Sequence, residues 1–140
     1  MDYWLNRHNR AKAAVQHTKD MQTKYQDRIV EVAQNTKVYG VDAEYVSYIP
    51  EASKKETEIS VIDMDSVSAV MEFGGAGSAV LNFASYKDPG GMFTDGSCAQ
   101  EECLCHESFL YNVLSTFVFG YYDWNRCHKN KALYMNRALY

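Results

Sequence analysis

The chain has 140 residues, 46% of them apolar and 14% aromatic, with a formal net charge of −4. That length suits one domain, and that composition suits a packed core and excludes a chain disordered throughout. The acidic balance argues against direct nucleic-acid binding, which needs a basic face.

No run approaches the roughly 18 apolar residues of a membrane span. The start, Met1-Asp-Tyr-Trp-Leu-Asn-Arg-His8, lacks the apolar core and cleavage site of a signal peptide. A cytoplasmic setting is therefore expected, with no membrane partner and the four cysteines reduced.

From about Arg10 to Thr36 the sequence is polar and free of Gly and Pro, and Tyr25, Ile29 and Val32 recur at helical spacing. This predicts one amphipathic helix ending before Gly40. Alternation over Glu44 to Ile49, followed by Pro50, predicts a short edge strand, with a charged loop over 50–57. Ile59 and Val61 alternate with polar residues and make 58–64 a second strand. Asp65 is a natural N-cap for a short helix over 66–73, which Gly74 and Gly75 close.

Residues 79–83 are apolar on both faces, as a buried central strand should be. Gln100 to Phe119 reads as a largely buried helix. The last residues, 132–140, are apolar at helix or strand spacing with no polar fade-out, so the chain is expected to stop inside an element. The order α-β-β-α-β-α points to an α/β architecture in a single domain over 1–140.

Chemistry concentrates in residues 80–111. Asp88-Pro89-Gly90-Gly91 follows the 79–83 strand, and its two glycines let backbone N–H groups approach an anion or take positive φ. A plain tight turn is the alternative. Ser97 and Gln100 have capping-box spacing, which sets Glu101 and Glu102 early in a buried helix. Adjacent helical residues point about 100° apart, so the two carboxylates cannot share one job.

A helix N-terminus stabilises an ionised carboxylate by about 0.3–1 kcal/mol. A general acid needs the opposite, a pKa lifted by desolvation or by a like charge. Spacing alone leaves both readings open: dipole partners on a solvated face, or an acid beside a ligand.

The run Leu81-Asn82-Phe83-Ala84-Ser85, then Pro89-Gly90-Gly91-Met92-Phe93, then Ala99-Gln100-Glu101-Glu102 with Leu104-Cys105, resembles the microbial-type poly(ADP-ribose) glycohydrolases (PARG). Their signature is a glycine-rich triplet followed at short spacing by Gln-Glu-Glu; here seven residues separate Met92 from Gln100. The resemblance implies a macrodomain-like three-layer α/β/α fold with a mixed sheet, incomplete at the C-terminus.

It also implies hydrolysis of the ribose–ribose O-glycosidic bonds of poly(ADP-ribose), releasing ADP-ribose, with Glu102 as acid and then base. By the same resemblance Glu101 and Asn82 hold ribose hydroxyls, Gly90 and Gly91 line the diphosphate path, and Gln100 and Phe93 complete the substrate site. No cofactor and no metal is implied.

This sequence departs from the family pattern in three ways. Met92 replaces the third glycine. Tyr86 and Asp88 stand where the family has Ala and Asn. No second glycine-rich loop follows Tyr111. An unfinished sheet would expose an edge and favour a homo-oligomer. The alternatives are a non-catalytic ADP-ribose binding module and a chain acting only by self-association.

Cys98, Cys103, Cys105-His106 and Cys127-His128 could be metal ligands. Residues 103 and 105 fall on different sides of a helix, so buried thiols are the better reading. Tyr121-Tyr122-Asp123-Trp124 could stack on a base, but core packing explains it more simply.

Overall fold

The computed structural model describes residues 6–40, 56–128 and 138–139. Helix α1 spans Arg7–Lys24 and is capped by Asn6, whose side chain accepts from the His8 N–H at 2.9 Å. It is strongly polar, and Ala14 is its one buried residue. Tertiary bonds fix it instead: Arg7 Nε donates to Asp95 O at 2.9 Å and Arg10 Nε to Gly96 O at 2.7 Å.

The expected single helix breaks at Tyr25, and α2 follows over Gln26–Asn35. At the break the Tyr25 ring tilts onto Phe109, with centroids 5.8 Å apart. A straight helix over 10–36 would carry no such kink. Ile29 is the residue α2 buries.

After α2 comes β1 (Val38–Tyr39), which pairs antiparallel with β2 (Ala138–Leu139), Val38 opposite Leu139 and Tyr39 opposite Ala138. Helix α3 (Ser66–Phe73) starts as the sequence predicts, with Asp65 accepting from the N–H groups of Val67 and Ser68. The region expected to be one helix over 100–119 is divided into α4 (Gln100–His106), α5 (Leu110–Ser115) and a π-helical turn at Val118–Tyr122. Helix α6 (Asp123–His128) follows.

The three-layer α/β/α architecture with a mixed sheet does not form. The chain is mostly helical, and the two-residue ladder of β1 and β2 is the only sheet among the described residues. A strand needs a neighbour to satisfy its backbone and a layer to cover its side chains. Among the described residues, 58–64 and 79–83 have no strand beside them, and Ile59, Val61 and Leu81 are 83%, 97% and 74% exposed.

The core lies among helices instead. Ala14, Phe93 and Cys105 form one cluster, with Leu110 and Tyr111 against it. Leu114, Tyr121 and Tyr122 form another, covered by Leu110 and Phe117. The strand expected at 44–49 lies outside the described residues, as does most of 132–140.

Candidate active site

The turn and α4 meet face to face. Gly90 and Gly91 take φ of 63° and 59°, the left-handed region that favours glycine. The Gly91 N–H donates to Asp88 O at 3.0 Å, closing the turn. A Cβ on Gly91 would stand 2.7 Å from Glu102 Oε1 and 3.3 Å from Glu101 Oε2. The glycine is what lets the turn sit on both carboxylates.

Both glutamates are buried, at 3% exposure for Glu101 and 7% for Glu102, so a solvated dipole-partner face is excluded for them. They are held differently. Glu101 uses both oxygens: Asn82 Nδ2 donates to Oε1 at 3.2 Å and the Ser85 N–H donates to Oε2 at 2.8 Å. Glu102 uses one: the Met92 N–H donates to Oε1 at 3.0 Å, and Oε2 has no hydrogen-bond partner among the described residues. Burial pushes the Glu101 carboxyl above the ordinary glutamate range, and the Glu102 charge adds to this, against the lowering effect of the Ser85 and Asn82 bonds.

Gln100 does not close the expected capping box. The N-cap of α4 is Ala99, without a side-chain bond. The Gln100 amide turns to the 81–83 segment, accepting from the Phe83 N–H at 2.9 Å and donating to Leu81 O at 3.0 Å and to Ser66 Oγ at 3.2 Å. A single serine is a weak competitor for an amide that can satisfy two backbone groups at once.

Asn82, Gly90, Gly91, Gln100, Glu101 and Glu102 are thus brought to one place. Asn82 Oδ1 is buried and finds no partner among the described residues, while the same side chain lines an apolar cavity of about 710 Å³. Phe93 goes elsewhere. It is fully buried, its ring 4.6 Å from that of His106 and 5.0 Å from that of Tyr111, so it belongs to the core beneath the turn.

Sequence reasoning missed three contributors. Ser85 supplies its N–H to Glu101, and its Oγ accepts from the Asp88 N–H at 3.1 Å. A serine three residues before an Asp-Pro turn is the available signal. Met92 matters through its backbone N–H, which no side-chain pattern announces. Arg126 reaches Asp88 at 3.4 Å while also pairing with Asp123 of its own helix. It brings α6 to the turn and offsets the carboxylate that departs from the family pattern.

Cys105 is fully buried, and burial with the neighbouring glutamates pushes its thiol up to about 12, an inert packing group. Tyr121 and Tyr122 are buried in the second core cluster.

A buried carboxylate pair set against a glycine turn is equipment for acid–base hydrolysis of a glycosidic bond. The chain matches the family described as microbial-type PARG, catalytic domain, over residues 8–140, and it belongs to that family. Membership makes it a hydrolase of the PARG type, with poly(ADP-ribose) as the family's substrate. No curated protein and no solved structure matches it.

Proposed function

We propose that this chain cleaves the ribose–ribose O-glycosidic bond of poly(ADP-ribose) and that Glu102 is its general acid and base. The asymmetry of the two glutamates carries this reading. Glu101 is tied at both oxygens and cannot rotate or donate without breaking a bond, which suits positioning. Glu102 is tied at one oxygen and leaves Oε2 for a proton.

In the proposed reaction protonated Glu102 gives its proton to the ribose oxygen as the bond from that oxygen to the anomeric carbon breaks. Water then attacks the anomeric carbon and loses its proton to Glu102, which restores the acid. The positive charge that develops on the sugar is balanced by the substrate's own diphosphate. One carboxylate then serves both steps, unlike the usual two-carboxylate plan.

Glu101 and Asn82 hold ribose hydroxyls, Gly90 and Gly91 line the diphosphate path, and Gln100 fixes the segment that carries Asn82. Phe93 supports the turn from below. The ligand is ADP-ribose or its polymer, the setting is cytoplasmic, and neither nucleic acid nor membrane is a partner. Among the described residues no helix is long and apolar enough to cross a membrane.

One observation favours a second reading, a non-catalytic ADP-ribose binding module. Met92, half exposed, puts a side chain where the family has its third glycine.

Incubation with poly(ADP-ribose), with released ADP-ribose measured by chromatography, tests both. Wild type should release ADP-ribose, and Glu102→Gln should be slower by about 100-fold or more. Equal, negligible release from the two proteins overturns the enzyme. Calorimetry with free ADP-ribose then decides for the binding module, and the absence of heat removes it as well.

A further inference from the structure

Two of the cysteines bracket the buried glutamates. The order is Cys98-Ala99-Gln100-Glu101-Glu102-Cys103, and Ala99 is the N-cap of α4. Cys98 therefore stands one residue before the cap and Cys103 four after it. Those are the two positions whose side chains meet across the start of a helix, where a pair of apolar residues commonly fixes the entry of the chain. Helical side chains lean toward the N-terminus, which carries the Cys103 thiol back over the first turn. Its Sγ donates to Cys98 O at 3.4 Å.

The two thiols share surroundings and differ in access. Both line a cavity of about 400 Å³, together with Arg10, Asp65 and Glu107. Cys98 is exposed, so an oxidant in solvent reaches it, whereas Cys103 is partly buried. Burial pushes the Cys103 thiol up, and the charges of Cys98, Glu102, Asp65 and Glu107 add to this. Cys98 is thus the sulfur to be oxidised first and Cys103 the thiol held in reserve. Cys105 is fully buried, and Cys127 lies on α6.

We propose that Cys98 and Cys103 are a redox pair, joined in a disulfide by a peroxide and reopened by a dithiol reductant. The Cys98 sulfur attacks one oxygen of hydrogen peroxide, the O–O bond breaks, and water leaves a sulfenic acid on Cys98. The Cys103 sulfur then attacks the Cys98 sulfur, the S–S bond forms, the S–O bond breaks, and a second water departs. The two thiols lose two electrons and two protons, and the peroxide takes up both.

The loop so closed contains Glu101 and Glu102. Ala99 gives α4 no side-chain cap, so the disulfide supplies a tie that the start of this helix lacks. It fixes the turn of helix that sets both carboxylates against Gly91, and it does so whatever ligand the site takes.

Peptide mapping by mass spectrometry tests the proposal on the full chain, treated with stoichiometric hydrogen peroxide and then alkylated. Cleavage after glutamate cuts between the two cysteines, so their peptides stay joined only through a disulfide. The expected result is a Cys98–Cys103 link, two hydrogen atoms lighter than the reduced pair, that dithiothreitol reverses. Cys127→Ser should keep the link. Cys103→Ser should stop at the sulfenic acid, trapped by dimedone on Cys98. Hydrogen exchange of the α4 amides should slow by about tenfold or more on oxidation.

A link from Cys98 to Cys127 or to a second chain overturns the proposal, as does over-oxidation of Cys98 with Cys103 still alkylated. Unchanged exchange in α4 of the linked protein overturns the tie on the helix. If Cys103→Ser loses its helical circular dichroism, the mapped link in the wild type decides alone.

Discussion

At the scale of single residues, the site depends on a side chain being absent at Gly91. Its φ of 59° costs a non-glycine residue about 1–2 kcal/mol, and a Cβ would meet Glu102 Oε1 at 2.7 Å. Gly91→Ala is therefore expected to destabilise the protein by about 1–3 kcal/mol in urea titration and to push the two carboxylates off the turn. Gly75→Ala is the control, since nothing lies within 4 Å of its Cβ and its φ is unexceptional; it should stay within about 0.5 kcal/mol of wild type. Equal effects would mean that the contact with the carboxylates has no energetic weight. The sequence showed which glycine to ask about but not why. Positive φ is a local property that a Pro-Gly-Gly string advertises, whereas the carboxylate against the glycine is a tertiary contact between residues eleven apart.

At the scale of elements, Gln100 joins three pieces that local sequence treats as separate: α3 through Ser66, the 79–84 segment through Leu81 and Phe83, and α4 by its own position. Gln100→Ala removes three hydrogen bonds and leaves the helix propensity of α4 intact or better. It is expected to cost about 1–2 kcal/mol and to speed exchange of the Phe83 amide while the α4 amides keep their protection. Unchanged exchange at Phe83 would show that the segment is held by something else. Element starts were legible where one side chain decides them, as with Asp65 ahead of α3. Element breaks were not. Tyr25 divides α1 from α2 at its packing contact with Phe109, and the 107–109 interruption separates α4 from α5; neither place carries a Gly or Pro. The Ser97–Gln100 capping box failed for the same reason, because a distant backbone outbid the local partner for the Gln100 amide.

At the scale of the whole molecule, the sheet was the largest misreading. An apolar run states that a segment can be a strand; it does not state what lies beside it, and no strand pairs with 79–83 among the described residues. The Gly-Gly and Gln-Glu-Glu spacing, by contrast, contains both partners of the contact it foretells. The core that replaced the sheet has its own signature in pH. His106 packs on Phe93 in that core, and burial pulls its pKa below the ordinary 6.5, helped by His17 and Arg10 and opposed by Glu107 and Glu102. The unfolded chain then takes up a proton near pH 6.5 that the folded chain refuses, so stability is full above that pH and is lost as pH falls through the folded value. Glu101 has the opposite sign. Its raised pKa means that the folded chain keeps a proton the unfolded chain releases above about 4.5, so its contribution is full below that pH and is lost as pH rises through the folded value. Melting temperatures between pH 4.5 and 7.5 should therefore carry two opposed slopes. His106→Gln should flatten the loss on acidification, whatever its effect on the absolute melting temperature, and Glu101→Gln should flatten the loss on raising the pH. If His106→Gln leaves the acid-side slope unchanged, the helical core does not hold that ring neutral.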